Sequence, residues 1–140
     1  MSLVIDKFFY SALFSSERLY ELTHSRIYNT ARPEKDETED VVPYIILTYE
    51  GMTNASDHKD TLWEGDEDTE TVGVLCVAET REALAELTTE VRRIVKEYAE
   101  DGDDELCPND YTISASAVQY DAAKPCVYQT LTYVCLTDNI

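Results

Sequence analysis

The sequence is poor in glycine, in basic residues and in long apolar runs, and each shortage excludes a class of function. Its four glycines, Gly51, Gly65, Gly73 and Gly102, are too few and too scattered for a phosphate-cradling loop. A GxSxG nucleophile elbow is absent as well. The four cysteines, Cys76, Cys107, Cys126 and Cys135, form no CxxC pair, and neither His24 nor His58 stands at zinc-ligand spacing from them. Three of the four lie in or beside apolar strand-like runs, where a thiol acts as a small hydrophobe, so reduced cysteines are expected. No apolar run approaches the roughly 20 residues that span a bilayer. The first residues, MSLVIDKFFYSALF, lack a basic leader followed by an apolar block and a cleavage site. The expectation is a chain that is not secreted and has no membrane partner.

The scarcity of bases matters most. Eleven Lys and Arg face twenty-nine Asp and Glu, for a formal net charge of −18. Affinity for nucleic acid comes mainly from cations that displace phosphate counterions, so sequence-specific nucleic-acid binding is excluded at this charge. Thirteen of the acids lie between Glu34 and Glu70, against only Lys35 and Lys59. The crowded carboxylates do not make a calcium loop. Asp101-Gly-Asp-Asp-Glu105 lacks the alternating ligands of an EF-hand and has its glycine in the wrong place, and the runs at Asp57–Asp60 and Asp66–Asp68 fail likewise. No carboxylate pair is singled out for acid–base work. The two histidines, His24 and His58, sit in no motif and read as solvent-facing or simply hydrogen-bonded side chains. No catalytic residue, cofactor or metal is expected.

What is present is a 140-residue chain, 44% hydrophobic, of a length suited to one domain with a real core. Ile5, Phe8, Phe9, Ala12 and Leu13 recur at helical spacing, with Ser2 placed to cap them. Glu17 to Leu22 reads as a further turn or two of helix, and Arg26-Ile27-Tyr28 as a short extended piece. Pro43 opens a strand, Tyr44 to Glu50, with Ile45, Leu47 and Tyr49 on one face and Gly51 at its end. The polar excursion over about 51–68 is long for a compact domain, and an extended hairpin arm is one way to fold it. A second strand covers Thr69 to Ala78, with Val72, Val74 and Cys76 alternating.

Thr80 then caps the longest helix, whose stripe is Ala83, Leu84, Leu87, Val91, Ile94, Val95 and Tyr98. Each large member contributes about 1.5–3 kcal/mol when fully buried. Gly102 marks its stop. Two strands follow, Tyr111 to Tyr120 and Val127 to Leu136, joined by a turn at Asp121–Pro125 as an antiparallel hairpin. Ile113, Ala115 and Ala117 leave one face of the first small enough for a helix to approach. The resulting class is α+β, in the order α-β-β-α-β-β: a largely antiparallel sheet of about four strands with two helices packed on one face.

Two features favour binding over chemistry. There are ten tyrosines, and tyrosine is enriched at interfaces because its ring packs while its hydroxyl stays hydrated. Trp63, inside the polar excursion, is either an interface anchor or the pin that holds its own loop. Arg92 and Arg93, with Lys96, gather much of the little positive charge on one helix. Trp63, Arg92 and Arg93 are the candidate interface residues.

The layout carries a resemblance. A helix leads to Arg26-Ile27-Tyr28 and Pro33; a charged gap precedes Pro43-Tyr44-Ile45-Ile46; a long polar excursion follows. A strand then runs into Val77-Ala78-Glu79-Thr80-Arg81-Glu82-Ala83-Leu84 and a long amphipathic helix, and a strand pair closes the chain. In order and spacing, over nearly the whole chain, this resembles the tail-completion, or head–tail joining, proteins of long-tailed phages and prophages. The resemblance implies an α+β structural subunit with no enzymatic activity and no cofactor. It also implies a homo-oligomeric ring that joins other tail or head–tail connector proteins, assembled in the bacterial cytoplasm and carried in the virion. The acidity would then keep a DNA-conducting lumen from holding phosphates. Subunits so charged repel one another, so assembly calls for salt, divalent cations, or the basic patch around Arg92 and Arg93 of a neighbour. The competing reading is an acidic stand-alone adaptor for a basic protein partner, with steep salt dependence.

The helix assignment has a direct test. Leu87→Asp places a charge in the middle of the main stripe, and a cooperative thermal melt near that of the wild type would refute that placement.

Overall fold

The computed structural model describes residues 4–29, 43–54, 67–101 and 107–138. Helices α1 (Val4–Phe14) and α2 (Glu17–Thr23) come first, then strands β1 (Ile27–Asn29), β2 (Tyr44–Asn54) and β3 (Glu67–Ala78). Helix α3 (Arg81–Asp101) follows, and the chain closes with β4 (Asp110–Ala115), β5 (Gln119–Asp121) and β6 (Cys126–Asp138). The α+β class is as the sequence implies, but the described residues form six strands and three helices where about four and two are expected.

Three local features account for the difference. Ser16 caps α2 by accepting the Leu19 N–H at 3.1 Å, which makes a separate helix of a segment short enough to pass for a loose turn. That helix ends with His24 and Ser25 in the left-handed region, at φ 53° and 64°, and His24 N–H closes on the Tyr20 carbonyl. The reversal sends Ile27–Asn29 alongside β2 as a parallel edge strand, paired from Ile27 with Ile45 to Asn29 with Leu47. Finally, the expected strand Tyr111–Tyr120 is broken into β4 and β5.

The break is a bulge held through Ser116. Ala115 stands opposite Leu131, whereas Gln119 stands opposite Tyr128, a one-residue change of register along β6. In the gap Ser116 N–H donates to the Thr130 carbonyl, its Oγ accepts the Thr130 N–H, and its carbonyl accepts Gln129 Nε2. Ala117, expected to line the same face as Ile113, falls in this gap, outside any strand. A second register change lies in β2, between Tyr49 and Gly51. Gly51 has φ +134°, which side-chain-bearing residues rarely adopt, so glycine lets the strand bulge and continue to Asn54 where the sequence pointed to an end. The base of the hairpin arm is thus formed, with Asn54 paired to Asp68. The rest of the excursion, and the expected caps Ser2 and Gly102, lie outside the described residues.

The sheet order is β1-β2-β3-β6-β4, with β5 also along β6. Its centre is the antiparallel β3–β6 ladder, unbroken from Glu67–Asp138 to Ala78–Val127. Helices α1 and α3 pack over one face, and α2 packs against both of them. There the alternation predicted from sequence holds: Ile45, Leu47, Val72, Val74, Cys76, Leu131, Tyr133 and Cys135 are buried. So are Ile5, Phe8, Phe9, Ala12 and Leu13 of α1, and Leu84, Leu87, Val91, Ile94 and Val95 of α3. Phe9 links the helical layer to the sheet, its ring 5.3 Å from Phe8 and 4.9 Å from Tyr133. Thr80 Oγ1 accepts the Ala83 N–H and starts α3 as expected.

One buried residue of α3 breaks the apolar pattern. Glu90 lies among the core positions, 6% exposed. One of its oxygens accepts from Ser16 Oγ at 2.7 Å and from Arg93 Nη2 at 2.5 Å, and the other accepts from Arg93 Nε at 2.9 Å. The fork of Arg93 and the cap of α2 therefore share one carboxylate, which ties the α1–α2 corner to α3. Arg18–Glu86, at 2.8 Å and exposed, joins the same two helices less strongly.

The hydrogen bonds from Arg93 hold the Glu90 carboxyl below its ordinary range, reinforced by Ser16 and opposed by burial. A depressed carboxylate contributes stability above its unfolded pKa and loses it as pH falls through the folded one. Melting temperature should therefore drop below about pH 4.5, the ordinary value for this group. Glu90→Gln should flatten that drop while costing about 1.5–3 kcal/mol at neutral pH, measured by denaturant titration at several pH values.

Candidate interaction cleft

Helix α3 lies over β3 and β6. Its inward stripe is buried, but the flank that turns toward β4 is not. At that flank the helix and the sheet edge diverge and leave an open cleft of about 350 Å³, lined by Arg92, Arg93 and Lys96 above and by Tyr111, Ile113 and Tyr133 below. An adjoining hollow of about 260 Å³ continues it along β4 and β6, sharing Arg92 and Ile113 and reaching Ala115 and Leu131. Residues on β4 that alternation assigns to the helix side are thus only partly covered: Tyr111 and Ile113 are half-buried, and Ala115 is exposed. The closely approaching helix that the small side chains of this strand suggested is not there.

The floor is aromatic and firmly backed. The Tyr111 ring lies 5.5 Å from that of Tyr133, which rests on Phe9 in the core. Burial pushes both phenols above their ordinary pKa, so they are neutral at physiological pH. The Tyr133 hydroxyl is buried and makes no hydrogen bond among the described residues.

The wall is cationic, and its members differ. Arg93 is committed to Glu90 and to Glu97, and these carboxylates raise its pKa further. Arg92 and Lys96 are exposed and make no ion pair with a described carboxylate. In a chain of net charge −18, two uncommitted cations beside an apolar floor form a local inversion of sign. The arrangement can receive an acidic group flanked by something apolar. It holds no nucleophile with a base, and among the described residues no group of three or more His, Cys, Asp or Glu is placed to hold a metal.

Of the residues singled out by sequence, Arg92 and Arg93 lie together at the cleft, whereas Trp63 and His58 lie outside the described residues. His24 is exposed at the end of α2, where its role is backbone geometry. The floor residues Tyr111, Ile113 and Tyr133 carry no site signal in the sequence, because on a strand they look like ordinary members of a covered face.

A second buried carboxylate lies on the hairpin arm. Glu70, 2% exposed, accepts from Tyr49 Oη at 2.8 Å and from Thr137 Oγ1 at 2.5 Å. These two hydroxyls bind β2, β3 and β6 across the arm. The negative charge of Glu70 adds to burial in pushing the thiol of the adjacent Cys135 up to about 12.

No family model matches the chain, and no curated protein matches it. The fold itself is found elsewhere. A chain of the "Virion of native gene transfer agent (GTA) particle" is similar in structure, with a TM-score of 0.60 over 94% of this chain and 92% of that one, at 13% sequence identity. At that identity the likeness is one of fold.

None of the four cysteines is in a disulfide, and Cys76, Cys126 and Cys135 are buried. Burial lifts Cys76 to about 12 as well, so both it and Cys135 stay protonated and unreactive. Titration of the native protein with an aromatic disulfide at pH 8 should count one fast thiol, Cys107, and all four once denaturant is added; a fast count above one would show that the core opens on that timescale.

Proposed function

We propose that this chain is a structural, non-enzymatic subunit of a phage or prophage tail or neck, closing or joining the tail end as a ring. The observation that carries the reading is the similarity of fold, over nearly the full length of both chains, to a component of a phage-like virion particle. The order of elements supports it independently, since helix, edge piece, polar excursion, long helix and closing strand pair follow the layout of tail-completion proteins. So does the chemistry. The cleft offers cations beside an apolar floor, which suits docking. The partners on this reading are further copies of the chain and other tail or head–tail connector proteins.

The acidity has a use in such a setting. A ring through which DNA slides works best if its wall does not hold phosphates, and a net charge of −18 supplies repulsion. The alternative, an acidic adaptor for a basic protein, draws no support from the cleft, whose charged wall is itself basic.

The reading is tested on particles. Induced cells of the source strain are fractionated on a density gradient, and the particle band is analysed by mass spectrometry and electron cryomicroscopy. The expected result is the chain at a fixed low copy number, forming a ring at the end of the tail that meets the head. Its recovery only in the soluble fraction, with complete particles lacking it, would overturn the reading. A ring whose lumen is lined by Lys and Arg would overturn the account of the charge.

A further inference from the structure

Helix α3 presents two unlike flanks. Arg92 and Lys96 face β4 across the cleft, while Glu86 and Glu90 face α2 through Arg18 and Ser16. Helix α2 therefore sits on the side of the helical layer away from the cleft, and it leads directly into β1, the strand at the opposite edge of the sheet from β4.

The outward face of α2 has a composition that matches the cleft. Glu17, Tyr20 and Glu21 fall at i, i+3 and i+4, so they share one side of the helix. All three are exposed, Tyr20 to 59%. Neither glutamate pairs with a described cation. A tyrosine between two carboxylates projects at one edge of the molecule. At the other edge an aromatic floor lies under two cations that pair with no described carboxylate. Count, sign and apolar content correspond, and the two surfaces lie too far round the helical layer to meet within one chain.

We infer that the cleft of one copy receives the Glu17–Tyr20–Glu21 face of the next, with Tyr20 over Tyr111 and Ile113 and the glutamates against Arg92 and Lys96. Such a contact is heterologous. Each copy uses a different surface toward each neighbour, and repetition gives a ring when the rotation closes. It also lets an acidic chain associate with itself, because the glutamates of one copy meet the cations of the next. The pairing deepens the tail-subunit reading and rests on it for the expectation that copies associate.

The test is self-association of the full chain by sedimentation velocity in about 0.15 M salt, where the Debye length of about 8 Å screens long-range repulsion. Glu17→Lys with Glu21→Lys moves the net charge from −18 to −14, and Arg92→Glu with Lys96→Glu moves it to −22. Each pair of changes should weaken association at least about tenfold, as expected for reversal of close charge pairs. The chain carrying all four changes returns to −18 and should regain it. If general repulsion governed assembly, the −14 variant would associate better than the wild type, which is the opposite outcome. Tyr20→Ser should weaken association with no change of charge. Thermal melts check the fold of every variant, since Lys at position 17 also opposes the helix dipole of α2.

Association of the wild type that none of these changes weakens, or loss in both double variants without recovery in the fourfold one, overturns the pairing. A wild type that stays monomeric at every concentration and salt overturns it too. The tail-subunit reading is decided separately, by whether purified particles contain the chain.

Discussion

The width of the sheet against the width of its helical cover is the constraint from which the rest follows. Five strands side by side, at about 4.8 Å each, make a layer of about 24 Å. Two helix bodies of about 10 Å cover about 20 Å of it. Helix α1 takes the β1–β2 side and α3 takes β3 with the near side of β6, and the helices pack against each other between. Covering the centre fully leaves one edge strand short of cover. That strand is β4, and the strip it leaves open is the cleft.

The placement of α3 is held by more than apolar contact. Its stripe could slide or roll by a fraction of a turn at modest cost, since most of its members are aliphatic. The buried Glu90 removes that freedom. Its oxygens satisfy Ser16 and Arg93 at once, so the helix is locked to the α1–α2 corner at a single height and rotation. The same bond commits Arg93 to Glu90 and leaves Arg92 and Lys96, on the neighbouring flank, as the cations that face β4. A stability element and the character of the candidate surface are thus set by one residue.

The strong acidity has little to do with this architecture. Strands and main helix keep ordinary apolar faces, and the described ion pairs are few and centred on α3. Charge of one sign in such excess makes association selective: two copies meet favourably only where local sign is reversed. A cleft whose cations pair with no described carboxylate, in a chain of −18, is therefore a stronger indication of a docking surface than the same cleft would be in a neutral protein.

Much of the fold was legible in the sequence. The apolar stripes of α1 and α3, the alternation in β2, β3 and β6, the Thr80 cap and the closing turn all follow from short-range periodicity, and all are where that periodicity puts them. Two of the three site residues named from sequence, Arg92 and Arg93, lie at the cleft, because a cluster of bases in an acidic chain is visible without coordinates. What periodicity could not supply was the outcome of competition between distant segments. The split of Tyr111–Tyr120 depends on Ser116 meeting Thr130, the parallel pairing of β1 depends on β2, and the burial of Glu90 depends on Ser16, seventy-four residues away. The sequence by itself determined the class of fold, which faces are apolar and where the charge is scattered. Tertiary structure alone decided that β4 is left half-covered and that two cations, paired with no described carboxylate, face it, because coverage and pairing belong to the fit between layers and not to any single segment.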